Sequence, residues 1–185
     1  MELTYLGHAG WRIQSEKLTI YIDPFKIESG PKAHILCITH DHFDHLDQAS
    51  IEKIRTAETV VLSTRNTAEA LDGIGLDPDD PGRRAFQLGP LSITAVQAYN
   101  REKNYHSRGF GIGFVIAVTR STDSQRLYHA GDTDSIEEMT QLAPLRLNLA
   151  LLPIGGTYTM DQREAVEAAK KIEAEVVESW KEVAK

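Results

Sequence analysis

The chain has 185 residues, with 41% hydrophobic and 25% charged side chains and a formal net charge of −7. That suits one soluble domain spanning 1–185 with a sizeable core, or two small halves sharing one. The sequence holds no bilayer-length apolar run, no charged-then-apolar leader and a single cysteine, Cys37. Membrane insertion, export and an internal disulfide are therefore not expected, a cytoplasmic location is, and the acidic balance argues against nucleic acid as a partner.

Residues 2–6 alternate in strand fashion, and Gly7-His8-Ala9-Gly10 reads as a turn. Strands over 11–14 and 18–22 follow, the latter closing in Asp23-Pro24-Phe25. Asp before Pro opens turns, so Asp23 taken alone is a turn residue. After a loop over 26–32 comes a buried strand over 33–39, which makes Cys37 a core residue rather than a reactive one. A helix is expected over 47–57, with Asp47 as N-cap and Ile51 and Ile54 on one face. A strand over 59–62 and a short helix over 66–71 come next. The run 73–84 contains Asp77-Pro78-Asp79-Asp80-Pro81-Gly82 and is read as loop, the seam between halves of roughly 1–84 and 85–185.

The second half opens with a strand over 91–98 and a polar loop over 99–108 that carries Asn100, Arg101, Lys103, His106 and Arg108. Gly109-Phe110-Gly111-Ile112-Gly113 is glycine-rich but lacks the strand-to-helix setting of a dinucleotide fingerprint. Strands over 114–118 and 126–130 follow, then Gly131-Asp132-Thr133-Asp134 and a helix to about Leu142. An apolar strand over 149–154 leads to the turn Gly155-Gly156-Thr157. In the tail, Val166, Ala169, Ile172, Val176, Trp180 and Val183 recur at helical spacing. One long amphipathic helix over 161–185 is expected, whole or broken near Glu173, with a short strand at Val176-Val177 as the competing reading. Its apolar face could pack on the domain or on a second copy.

Chemistry concentrates in Thr39-His40-Asp41-His42-Phe43-Asp44-His45, directly after an apolar strand. Imidazoles and carboxylates at a strand end can converge on a divalent cation of intermediate softness. His8, Asp23, the loop holding Asn100 and His106, and the segment from His129 to Asp134 also fall at or just after strand ends. Repeated placement of polar residues there suggests one rim of a sheet sandwich. Asp132 is either a carboxylate ligand from the second half or an ordinary helix N-cap. His129, within a strand, reads as a core or ligand-orienting group.

His40-x-His42-x-Asp44-His45, preceded by Thr39, resembles the signature of the metallo-β-lactamase fold hydrolases. Leu6-Gly7-His8-Ala9-Gly10, Ile22-Asp23-Pro24-Phe25, His129-Ala130-Gly131-Asp132-Thr133-Asp134 and the run from Leu151 to Met160 extend the resemblance over most of the chain. They are similar to the branch of small metal-dependent hydrolases related to the ascorbate-phosphate lactonases. The resemblance implies an α+β, four-layer αββα sandwich with metals at one edge. His40 and His42 would bind one metal, Asp44 and His45 the second, and Asp132 would bridge them. A bridging water, acidified to hydroxide, would attack a carbonyl or phosphorus, with Asp44 as the catalytic group that orients or deprotonates it. His8 and Asp23 would fix ligand orientation.

The sequence departs from that pattern twice. Asn100 stands where the family carries a further histidine; His106, six residues on, is the favoured ligand because imidazole binds better than a carboxamide. No histidine follows His129, and the closing strand-end histidine falls near Trp180 and Lys181. The C-terminal part is therefore expected to be shortened or replaced by helix, with one metal position short of a ligand. The expected function is hydrolysis of a small anionic ester, lactone or phosphodiester with one or two divalent ions, zinc first, then manganese, iron or nickel. Arg101, Lys103 and Arg108 could attract the anion. The alternative is a degenerate member that binds metal or ligand without turnover.

Overall fold

The computed structural model describes residues 1–15, 17–121 and 123–181. The chain divides into two compact units, one from Met1 to Leu76 and one beginning at Asp77.

The first unit is a six-stranded sheet in the order β1 to β6: β1 (Glu2–Gly7), β2 (Gly10–Ser15), β3 (Leu18–Ile22), β4 (Ile35–Cys37), β5 (Val60–Thr64) and β6 (Ile74–Leu76). The first three strands run antiparallel; β3 to β6 are parallel. Parallel neighbours need crossovers. Helices α1 (Gln48–Ile54) and α2 (Arg65–Ala70) supply those between β4, β5 and β6. Tyr21, Leu36 and Val61 form one cross-strand row, and Ile51 and Ile54 of α1 share its buried cluster. The alternating residues Ile20, Ile22, Ile35 and Cys37 are buried too, so β3 and β4 are apolar on both faces. Burial pushes the Cys37 thiol up, assisted by the charge of Asp23, so this residue is inert core.

The second unit repeats the plan without repeating the sequence. Its sheet runs β7 (Ala85–Leu88), β8 (Leu91–Ala98), β9 (Gly111–Thr119), β10 (Ser124–His129), β11 (Leu149–Pro153) and β12 (Val176–Trp180). Strands β7 to β10 are antiparallel; β10, β11 and β12 are parallel. A 3-10 helix (Glu137–Leu145) and α3 (Gln162–Ile172) make the crossovers. Asp161 caps α3 with a full capping box to Glu164, and Ala165, Ala168 and Ile172 are buried while Val166 is exposed.

Three sequence expectations are corrected. The tail is not one helix: α3 stops at Glu173, which adopts a left-handed φ of 54°, and β12 follows. Val176 and Val177 satisfy strand preferences as readily as helical spacing, and pairing with β11 decides. Trp180 thus ends a strand, opposite Pro153, and Val183 lies outside the described residues. The run 73–84 is not all loop, because Ile74–Leu76 pairs with β5. The helix expected to about Leu142 is a 3-10 helix over Glu137–Leu145, with Pro144 inside it.

Candidate metal centre

In the first unit, the parallel strands β3 and β4 end side by side and deliver Asp23 and Thr39 together. Asp23 is fully buried with a left-handed φ of 41°, a conformation that Asp tolerates better than most residues. Its Oδ1 accepts the Thr39 backbone N–H at 2.8 Å. Its Oδ2 accepts the Thr39 hydroxyl at 2.6 Å and His45 Nδ1 at 2.8 Å. A hydroxyl that donates to Asp23 accepts from its other neighbour, so Thr39 Oγ1 accepts a hydrogen bond from the His40 Nδ1–H at 2.9 Å.

This short relay sets two tautomers. His40 and His45 both carry their proton on Nδ1 and turn Nε2 toward ligand duty. His40 Nε2 lies 3.0 Å from His42 Nδ1, and the His40 and His45 rings are 4.0 Å apart. His8, on a turn with a left-handed φ of 53°, places Nε2 3.3 Å from Asp44 Oδ2. His8, Asp44 and His45 each offer a ligand atom within 4.8 Å of the others. Burial pushes the Asp44 carboxyl up. The His8 hydrogen bond and the His45 charge outweigh it, aided by the residue's own backbone N–H, and leave the group below the usual carboxylate range. Asp44 is thus held as the anion a metal requires.

In the second unit, the side chain of Asn100 is taken up by structure. Its Oδ1 accepts the His106 backbone N–H at 2.9 Å and lies 3.1 Å from His106 Nδ1. Its Nδ2 donates to Asp134 Oδ1 at 3.0 Å and to the Tyr158 carbonyl at 2.9 Å. Asn100 therefore shapes the loop that presents His106. The His106 Nε2 atom lies 3.4 Å from Asp132 Oδ2, with both residues buried. Asp132 follows β10, where Thr133 locks the segment to Tyr99 by two hydrogen bonds of 3.1 Å.

Asp134, which the sequence reading left without a role, is the hub of this unit. It accepts from Asn100, from the Arg101 backbone N–H at 2.9 Å and from Lys103 Nζ at 2.7 Å. Thr39 and Tyr158 were also missed, because a hydroxyl relay and a carbonyl acceptor have no compositional signal. The expected anion-attracting cations are engaged elsewhere. Lys103 also donates to the Thr159 carbonyl at 2.7 Å, and Arg108 pairs with Glu138 at 2.8 Å. Arg101 keeps a long, exposed pair with Glu164 at 3.6 Å.

His129 accepts the Gly131 backbone N–H on Nδ1 at 3.2 Å and stacks on Trp180, centroids 4.7 Å apart and planes 20° from parallel. A strand-end histidine expected near this position is replaced by an indole packed flat on a core imidazole.

The donor set, imidazoles oriented by a buried carboxylate and a hydroxyl, together with ionised aspartate, fits a divalent metal. Comparison with known proteins agrees. Residues 2–178 match the family model of the beta-lactamase superfamily domain. The chain belongs to the metallo-β-lactamase superfamily. It is 31% identical over 190 residues to a UPF0173 metal-dependent hydrolase of Alkaliphilus metalliredigens, covering 95% of this chain and 82% of that one. A UPF0173 metal-dependent hydrolase of Thermoplasma volcanium is 34% identical over 191 residues, covering 95% and 81%. Among solved structures, a metal-dependent hydrolase from Parabacteroides distasonis superposes with a TM-score of 0.87 at 28% identity, covering 99% of this chain and 83% of that one. A metallo hydrolase from Ignicoccus hospitalis gives 0.76 at 27% identity, covering 96% and 80%. The two mixed sheets with crossover helices are thus those of the metallo-β-lactamase fold.

Proposed function

We propose that this metal-dependent hydrolase cleaves a small anionic ester, lactone or phosphodiester in the cytoplasm, with one or two divalent ions, zinc first. His40, His42, Asp44, His45, His106 and Asp132 are assigned as metal ligands, with His8 able to join Asp44 and His45. The observation that carries this reading is the Asp23–Thr39 relay, which commits Nδ1 of both His40 and His45. A core aspartate that merely capped a turn would have no need to hold two imidazoles in one tautomer.

When bound, the metal supplies Lewis-acid activation of water and of the scissile group. The chain's own residues do the rest. Asp44, which its neighbours hold ionised, orients the attacking water or accepts its proton. Asp23 and Thr39 hold the imidazoles against rotation. Arg101, whose own ion pair is long and exposed, is the loop cation with reach toward an anionic substrate group.

A second reading, binding without turnover, is favoured by Trp180 at the end of β12, where the family resemblance calls for a histidine. A panel of carboxylic esters, lactones and phosphodiesters, assayed with zinc, manganese, iron or nickel supplied, separates the two. Turnover on one class that disappears in Asp44→Asn supports the hydrolase. Metal retention with no turnover on any class supports the binding protein.

A further inference from the structure

The second unit holds a cavity of about 730 Å³ that none of the assigned metal ligands lines. Its floor is one face of the sheet. Thr94, Val115 and Tyr128 form a single cross-strand row there, and Ala117 and Arg126 pair in the row beside it. Tyr128 and His129 are successive residues of β10, so they point to opposite faces. The cavity thus opens on the face away from His129. Met139, Leu142 and Leu145 of the 3-10 helix form its apolar roof.

Its volume is that of a small-molecule site rather than a packing defect. Its polar groups are unevenly satisfied. Arg108 is neutralised by Glu138 at 2.8 Å and Asp79 at 3.6 Å, a clasp that ties the loop bearing Pro78 and Pro81 to the roof. Arg84 and Arg126 also line the cavity, and neither guanidinium has an ion pair among the described residues. The Tyr128 hydroxyl is wholly buried and has no hydrogen-bond partner among them. Burial pushes that phenol well up, so it remains a donor at any physiological pH. A buried donor without an acceptor is costly, and unmatched guanidiniums in the cavity lining favour an anion.

We propose that this cavity is a second ligand site, distinct from the metal cluster, which takes an organic carboxylate with an aromatic or branched aliphatic body. The apolar roof and Val115 receive the body. Arg126, two residues from Tyr128 on β10, receives the carboxylate, whose planar pair of oxygens matches the guanidinium fork. The Tyr128 hydroxyl donates to the ligand.

Calorimetric titration of the full chain with 2-naphthoate tests this, with 2-naphthamide as the uncharged counterpart. One saturable site is expected, with the amide about tenfold weaker. Arg126→Gln, a change to a partly exposed side chain, weakens naphthoate by a similar factor, and Ala117→Trp, which fills the floor, abolishes binding. His40→Ala binds as the parent does. Equal affinity for acid and amide overturns the proposal. So does binding that disappears in His40→Ala but survives in Ala117→Trp, which would put the carboxylate on the metal cluster, or a folded chain that binds neither probe. Circular dichroism checks the fold of each variant, and Arg126→Gln keeps the test decisive if Ala117→Trp does not fold.

Discussion

His45 donates from Nδ1 to Oδ2 of Asp23 over 2.8 Å, with both side chains fully buried. The contact joins a residue at the end of β3 to one in the histidine cluster 22 positions later. It couples fold to chemistry: the strand pairing that brings Asp23 beside Thr39 also decides which His45 nitrogen faces a ligand.

Asp23→Asn keeps the size of the side chain and tolerates the left-handed backbone, but removes the charge. Its amide cannot accept from Thr39 and His45 together with equal strength. Such changes behind metal-bound histidines typically weaken metal affinity by roughly 10–100-fold. Competition with a chromophoric chelator measures this. An affinity equal to the parent's would mean that the relay does not orient the ligands.

Trp180 is 2% exposed and stacks on His129. Trp180→Ala opens a large void in the second unit and should lower stability by about 3–5 kcal/mol in urea titrations. A loss under about 1 kcal/mol would show that β12 is loosely attached and that Trp180 is no core residue.

Gly113 lies on β9 where a Cβ would meet the carbonyl oxygens of His129 and Ala130, each at 2.9 Å. Those atoms are backbone and cannot swing aside. Gly113→Ala should therefore destabilise by about 1–3 kcal/mol. A neutral result in thermal denaturation would refute the close approach of β9 to the end of β10.

Glu138 gives a pH signature. Burial raises its carboxyl, but its own backbone N–H, the Tyr99 hydroxyl and the Arg108 guanidinium outweigh this and hold it below the usual glutamate value. A depressed folded pKa adds stability that is complete above the unfolded value of about 4.3 and is lost as pH falls through the folded value. Glu138→Gln should cost less than about 1 kcal/mol at pH 7, since the pair is near the surface, and nothing at a pH below both values. Urea titrations at neutral and strongly acidic pH compare the two; a difference that does not change with pH would contradict the ion-pair account.

Much of this was legible in the sequence because strand alternation and ligand chemistry act locally. The strand over 91–98 and the apolar run before the histidine cluster follow from pattern alone, as does the choice of His40, His42, Asp44 and His45 as candidates. The misreadings arise where tertiary pairing overrides local spacing. Val176 and Trp180 fit a helical stripe, yet β11 recruits them as a strand. Ile74–Leu76 sits among turn formers, yet β5 pairs with it. Asp134 and Thr39 act through hydrogen bonds to distant backbone and side chains, which no spacing rule encodes. Arg101, Lys103 and Arg108 looked like free cations only because their carboxylate partners, Glu164, Asp134 and Glu138, are 30 or more residues away in sequence.

The central claim is that the histidine cluster holds a catalytic metal. Metal content of the purified protein, measured by inductively coupled plasma mass spectrometry beside turnover, tests it most directly. The account predicts about one to two equivalents of a divalent transition metal per chain, with metal and turnover falling together in His40→Ala. A parent chain that stays metal-free when zinc, manganese, iron and nickel are each supplied, or turnover unchanged in His40→Ala, would contradict it.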